Sequence, residues 1–472
     1  MNRLSDSRLG FVQILCTVLV ALITIAACVM PMAELPLWNG EIPGHRNQYE
    51  LMAEAILDGR IDFAYGDEGE LEKLQNPYDP KERDEAGVRY HWDHAYYNGH
   101  YYMYFGIVPV FLAFLPYRVI TGSALTTFHA TQLFAALTIA GIFVLFGALR
   151  KQFFRKLPFG VYLALSVAFS VMSVWYSAAE PALYCTAITA ALALEVWSIY
   201  FFIRGVYLEK KENRQILFAG IGALLGALAF GCRPPIALAN IVVIPLLWVF
   251  LQGRKFTWKL LAKLALAAAP YAVVGVCLMV YNYVRFDNPF EFGQAYQLTV
   301  ADQSNYRVTL DAEQLLRIVN GTCLNFFQFQ NVSGTFPYVQ SGGVFFNFPI
   351  LALSLAGIVS PARAKAKELK IYPFMVGLFV SALVITAADV LWSPYLLERY
   401  RMDIYFLMGI GCFICLGLWH SVSGENQKKG LSIFYGLCAA VTLLQAYLLY
   451  VRTVGVYYPD KVTEIAAMLG LM

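Results

Sequence analysis

The sequence predicts an all-α, polytopic membrane protein with about eleven transmembrane helices and two large external loops. Three observations carry this. The chain of 472 residues is 59% hydrophobic and only 14% charged, with a mean hydropathy of +0.55; that balance belongs to membrane proteins. Its apolar runs recur at the length of about twenty residues needed to cross a bilayer as a helix. Its basic clusters fall on one side of those runs, as short cytoplasmic loops require.

The basic N-terminus (Arg3, Arg8) leads into an apolar run over 10–32. It is longer than a signal-peptide core and predicts a retained first span. Further spans are expected near 126–149, 157–177, 182–204, 215–232, 234–251, 262–284, 344–361, 371–391, 402–420 and 430–451. The run 104–121 is shorter and carries Pro109 and Pro116, so it reads as an interfacial or re-entrant helix. On that reading the clusters at Arg150–Lys156, Arg204–Arg214, Arg254–Lys263, Arg363–Lys370 and Lys428–Lys429 share one side. The N-terminus is then inside and the C-terminus outside. The whole chain, 1–472, reads as one membrane-embedded domain.

Two long segments, 33–125 and 285–343, then face outward. Loops of this length are commonly functional. In the first, Tyr49–Leu57 has helical apolar spacing and stops at Asp58-Gly59, and Asn76–Pro80 forms a rigid turn. Its densest stretch is RYHWDHAYYNGHYYMYFG, from Arg89 to Gly106. Asn98-Gly99 signals a tight turn, and the tyrosines suit a hairpin or a membrane interface. An aromatic belt alone would not explain Asp93 or the histidines. His91, His94 and His100 with Asp93 permit a metal site, although no zinc signature is present.

Charges at outer span ends are expensive against lipid and tend to line cavities. These are Glu180, Arg233, Arg285, and the ERYRMD segment at 398–403. The alternative for Glu180 and Arg233 is snorkelling to the headgroups. Arg399 and Arg401, flanking Tyr400, offer planar forks suited to a lipid phosphate; the alternative is a cap salt-bridged to Glu398 and Asp403. Asp389 and Glu195 are the acids deepest in apolar runs. The nine cysteines sit almost wholly in apolar runs, and the Cys412–Cys415 spacing lies within one. A net charge of +3 gives no reason to expect nucleic acid. No phosphate-binding loop, GxGxxG before a helix, or GxSxG occurs.

The layout resembles GT-C-type polyprenyl-phosphate-dependent membrane glycosyltransferases, the superfamily of protein O-mannosyltransferases and the aminoarabinose transferase of lipid A. The resemblance rests on a first span followed by a large loop, on Tyr49, Ala53, Gly59 and Arg60, and on NPYDP and WDHAYYNGHYYMYFG. It continues in RKQFFRK, in YNYVRFDNPFEFGQAYQLT (281–299) and in ERYRMD. It is closest to uncharacterised bacterial members. It implies an inner-membrane enzyme moving a sugar from a polyprenyl-phosphate donor to a glycan, lipid or protein acceptor on the outer face. It also implies one acid in the first external loop and a second in the next. Glu180 fits the second position. For the first, Glu41 has the family's order along the chain, whereas Asp93 has the richer setting with Trp92, His94 and Tyr97. The family's acid usually precedes the Tyr49 helix closely, where this chain has His45 and Arg46. The base is expected to be Asp93, with Glu41 and Glu180 as competitors. Arg233, Arg285, His94, Tyr97, Arg399, Tyr400 and Arg401 are the expected substrate-binding residues. A divalent cation is left open, and no residue is assigned as a metal ligand. The rival class is a secondary transporter or lipid flippase, whose best residue would be Glu195.

Overall fold

A computed structural model describes residues 2–32, 47–66, 68–181, 183–304, 306, 309, 311–329, 342–392 and 397–457. The protein is a polytopic helical membrane protein. Among the described residues ten helices are long and apolar enough to cross a membrane. The first is α1 (Asn2–Val29).

The first long loop folds around a small hub. α2 (Gln48–Leu57) starts at Asn47, whose side chain accepts from the Tyr49 and Glu50 amides, and stops before Gly59 at φ 74°. α3 (Pro80–Ala86) is capped by Asp79. β1 (Ala95–Tyr97) and β2 (His100–Tyr102) pair antiparallel, with Tyr96 opposite Tyr101. Their turn residues Asn98 and Gly99 both have positive φ, 49° and 79°, which the mirror-image two-residue hairpin turn demands. A π-turn (Val110–Phe114) then runs into α4 (Leu115–Thr121), together a twelve-residue apolar helix, too short to span.

The bundle follows. α5 (Thr127–Phe153), α6 (Phe159–Ala179), α7 (Leu183–Ile203) and α8 (Glu212–Phe230) are joined by short turns. α9 (Pro234–Ala237) and α10 (Val243–Leu251) are two pieces of one span, linked by a 3₁₀ stretch at Leu238–Val242. α11 (Trp258–Phe286) has only 6% of its apolar window buried in protein, so its surface is left to lipid. α12 (Ala312–Phe327) belongs to the second long loop. After α13 (Val344–Asn347) and α14 (Ala362–Glu368) come α15 (Tyr372–Trp392), α16 (Glu398–Val422) and α17 (Glu425–Tyr457). α16 is 94% buried over its apolar window and is the central helix.

One expected span is different in kind. Residues 344–361 do not form a spanning α-helix: Pro349–Ile358 is a 3₁₀ helix. Leu351, Ser354 and Gly357 are buried, the period of three that a 3₁₀ helix gives. The segment runs parallel to α16, its contacts advancing in step along both. Asn347 bonds Glu398 and Tyr405 at 3.0 Å each; the Cys412 thiol donates to the Ile350 carbonyl, Cys415 to Ser354, and Trp419 to Ala356. The polar backbone of the segment is thus partly satisfied by the side chains of its neighbour. The two thiols of the CxxC spacing serve as donors to that backbone.

The hub ties the two long loops together. The Asp93 amide donates to Leu298, Leu298 to His94, and Tyr96 to Tyr296, each at 2.9 Å. Buried Arg83 reaches from α3 to the Thr299 carbonyl at 2.7 Å. Gln48 holds the Asp93 carbonyl at 2.7 Å and accepts from the Tyr104 amide at 2.9 Å.

Candidate active site

The hub, α7, the α8–α9 turn, the end of α11 and the start of α16 enclose a cavity of about 440 Å³. Six of the expected catalytic and substrate-binding residues line it: Asp93, Glu180, Arg233, Arg285, Arg399 and Tyr400. It has an apolar wall that includes Ile107, Phe230, Leu278 and Phe292, and an aromatic face including Trp92, Tyr104 and Tyr176.

Asp93 is held from several directions. Its backbone is left-handed, φ 56°, a conformation that costs free energy for a residue other than glycine and persists only where its surroundings impose it. Gln297 donates to Oδ1 at 2.8 Å, and the Tyr184 hydroxyl donates to Oδ2. The side chain is nearly fully buried. Burial pushes the Asp93 carboxyl above its ordinary value, while the Tyr184 bond and the Arg399 charge pull it back part of the way. Burial also raises the Tyr104 hydroxyl.

Two of the three arginines are already engaged. The Arg233 Nε donates to both oxygens of buried Asp403, at 3.0 and 2.8 Å, and its guanidinium lies 5.3 Å from the Tyr400 ring centre. Arg285 donates to the Met103 carbonyl and to Asn282, both at 2.7 Å, fastening α11 to the hub. Arg399 lies 4.1 Å over the Tyr184 ring and half-buried on the cavity. Among the described residues it makes no ion pair. Glu180 ends α6 on the cavity wall.

Three expected site residues fall elsewhere. Arg401 faces away from the cavity and pairs with buried Glu398 and Asn325. Residues two apart on a helix point to nearly opposite sides, so Arg399 and Arg401 cannot share a ligand. His94 lies behind Asp93: Nδ1 meets the Trp92 carbonyl at 2.9 Å and Nε2 the Tyr65 hydroxyl at 2.8 Å. A carbonyl only accepts, so Nδ1 carries the proton and Nε2 accepts from Tyr65. Tyr97 sits at the outer edge of the hairpin with Asp287 as its partner at 3.4 Å. Glu41 lies outside the described residues.

The His91 and His94 rings lie 5.6 Å apart, while His100 is engaged elsewhere. His91 stacks on Tyr65 at 3.7 Å, and His100 pairs with Asp62 at 3.0 Å. Among the described residues no three His, Cys, Asp or Glu side chains come together as a metal site. Glu195 is not on the cavity; it is packed in the bundle against the Asn240 amide at 2.6 Å.

Sequence reasoning missed Tyr184 and Gln297, two donors to Asp93. Gln297 lies inside 281–299, a stretch already singled out, just after Tyr296. Tyr184 had no local signal beyond its position just after Pro181.

No family model matches the chain, and no curated protein matches it. Two solved structures are similar in fold. One, ArnT from Cupriavidus metallidurans bound to undecaprenyl phosphate, aligns over 94% of this chain and 77% of its own, with a TM-score of 0.48 and 14% identity. The other is the oligosaccharyltransferase of Archaeoglobus fulgidus, tethered to an acceptor peptide. It aligns over 95% of this chain, with a TM-score of 0.43 and 12% identity, and this chain spans 55% of its length. At these levels the similarity assigns neither a family nor an activity to this chain.

Proposed function

We propose that this protein is a GT-C-type glycosyltransferase of the inner or plasma membrane that moves a sugar from a polyprenyl-phosphate donor to an acceptor on the outer face. The observation that carries this reading is the pairing, on one cavity, of a buried carboxylate held by Gln297 and Tyr184 with the Arg399 guanidinium. Asp93 accepts the proton of the acceptor hydroxyl as its oxygen attacks the anomeric carbon. The carbon–oxygen bond to phosphate breaks, and its electron pair leaves with the phosphate. Arg399 faces the developing charge, as a preorganised cation in a partly dry site should. Tyr184, Gln297 and Trp92 bond the Asp93 carboxylate, and of its roughly four acceptor sites one is left for the incoming proton. The apolar wall suits the prenyl chain, and the aromatic face suits the sugar ring. Glu180 is placed to orient the acceptor. The two long loops and the cavity are read as external, with the basic ends of the bundle inside.

Transfer from a lipid-linked sugar by the purified protein tests the chemistry. Asp93→Asn keeps shape but cannot take a proton, so turnover should fall roughly a hundredfold to ten-thousandfold. Near-normal turnover in Asp93→Asn, with loss in Glu41→Gln, would move the base to Glu41. A reporter fused after Lys156 should read inside and one within 60–90 outside; the reverse result would overturn the orientation. The transporter or flippase reading retains buried Glu195 as its one supporting observation. It predicts movement of a lipid-linked sugar across vesicles without any acceptor.

A further inference from the structure

A second concave site lies at the far end of the bundle from the cavity. α11 links the two: it starts at Trp258 beside this site and ends at Phe286, next to cavity-lining Arg285. Its 29 residues span about 43 Å at the rise of an α-helix, the full thickness of a bilayer with its headgroups. The site measures about 350 Å³ and is lined by Arg254, Lys255, Lys259 and Lys263 around a single carboxylate, Glu212.

Glu212 is already used twice. It takes Lys263 at one oxygen and Arg254 at the other, 3.4 Å away. Arg254 and Lys263 are further anchored by Gln215 at 2.8 Å and Asn213 at 2.9 Å. Among the described residues Lys255 and Lys259 make no ion pair, and both are exposed. The pocket therefore has a fixed basic floor and two spare ammonium groups at its mouth. Thr257 caps α11 by accepting from the Leu260 amide at 3.2 Å, so the cation set, not the helix end, defines the site. Beside the lysines, Phe256 is 70% and Trp258 85% exposed. Aromatic rings so exposed at a helix end belong in the headgroup layer. A small soluble anion would leave them unexplained.

We propose that this pocket binds the headgroup phosphate of an anionic phospholipid in the leaflet opposite the cavity, with Phe256 and Trp258 seated among the neighbouring lipids. Basic pockets between transmembrane helices on that side are suited to such headgroups. The inference is independent of the chemistry proposed for the cavity.

Native mass spectrometry of the purified full chain, titrated with phosphatidylglycerol or phosphatidylcholine, tests this. Phosphatidylglycerol should be retained and phosphatidylcholine should not. Lys255→Gln/Lys259→Gln should weaken retention about thirtyfold, from the typical worth of two basic residues at a charged surface. Raising salt should release the lipid from the unaltered protein, an arm that needs no variant. Equal retention of both lipids, salt-insensitive binding, or an unchanged affinity in the folded double variant overturns the proposal. Displacement of the lipid by equimolar inorganic phosphate also overturns it, since the site would then read an anion and not a lipid.

Discussion

Arg233 and Asp403 face each other across the bundle, Nε to Oδ2 at 2.8 Å, with the aspartate side chain fully buried and the arginine 19% exposed. Two unit charges at that separation attract by about 6 kcal/mol at an effective dielectric of about 20, a sum largely offset by taking both out of water. Removing one partner is a different matter, because the offset remains and the attraction goes. Asp389, on α15 and also on the cavity, interacts with the same guanidinium, so Arg233→Gln leaves two buried acids without their cation. The expected loss is about 3–5 kcal/mol. Asp403→Asn leaves Asp389 to pair with Arg233 and should cost less. The double variant Arg233→Gln/Asp403→Asn should recover at least about 2 kcal/mol relative to the sum of the singles, a coupling typical of groups in direct contact. Reversible unfolding in mixed micelles measures all four corners of the cycle. Additive energies, or a loss below about 1 kcal/mol for Arg233→Gln, would refute the view that Arg233 is first a structural partner of Asp403.

Other predictions bear on the cavity. Because the folded-state value of Asp93 is raised, transfer should fall as pH drops through a point above the ordinary carboxylate range, as read from a pH–rate profile. The same shift makes the folded protein hold that proton more tightly than the unfolded chain. Its stabilising contribution is whole below the unfolded value and is lost as pH rises through the folded one. Asp93→Asn should accordingly melt higher than the unaltered protein at neutral pH while losing activity. Arg399→Lys should restore only part of the donor use lost in Arg399→Ala, since an ammonium cannot reproduce a planar fork stacked on Tyr184; full rescue in a donor titration would reduce Arg399 to a point charge. Gly106→Ala should destabilise by at least about 1–3 kcal/mol, because its methyl would sit 2.2 Å from the Gly231 carbonyl oxygen and 2.5 Å from that of Cys232; thermal unfolding checks it.

The cavity was legible wherever a charge stood at the end of an apolar run. Glu180, Arg233, Arg285 and Arg399 announce themselves because lipid makes such positions costly. The short, proline-bearing run 104–121 was legible as non-spanning from its length, and its helix covers only Val110–Thr121. The pairing around α16 could have been read further than it was: a three-residue interval puts Glu398 beside Arg401, and a two-residue interval separates Arg399 from it. The donors to Asp93 were not legible, since a glutamine in a polar loop and a tyrosine at a span's start carry no periodicity. Their meaning arises only when Gln297 pairs alongside Asp93 across 204 positions of chain. Hydropathy also cannot distinguish an α-helix from the 3₁₀ form taken by Pro349–Ile358, because both are equally apolar.

That 3₁₀ stretch alters the parity of the chain. A 3₁₀ helix climbs about 2.0 Å per residue against 1.5 Å for an α-helix, so residues 347 to 356 keep pace with the longer interval from Tyr405 to Trp419 on α16. Among the described residues a tally of long helices gives ten, an even number, and would return the end of α17 to the side on which α1 began. Counting the 3₁₀ stretch as a traverse makes the number odd and sends α17 to the opposite side. A reporter fused beyond α17 would therefore read out whether these ten residues, too few for a spanning α-helix, carry the chain across.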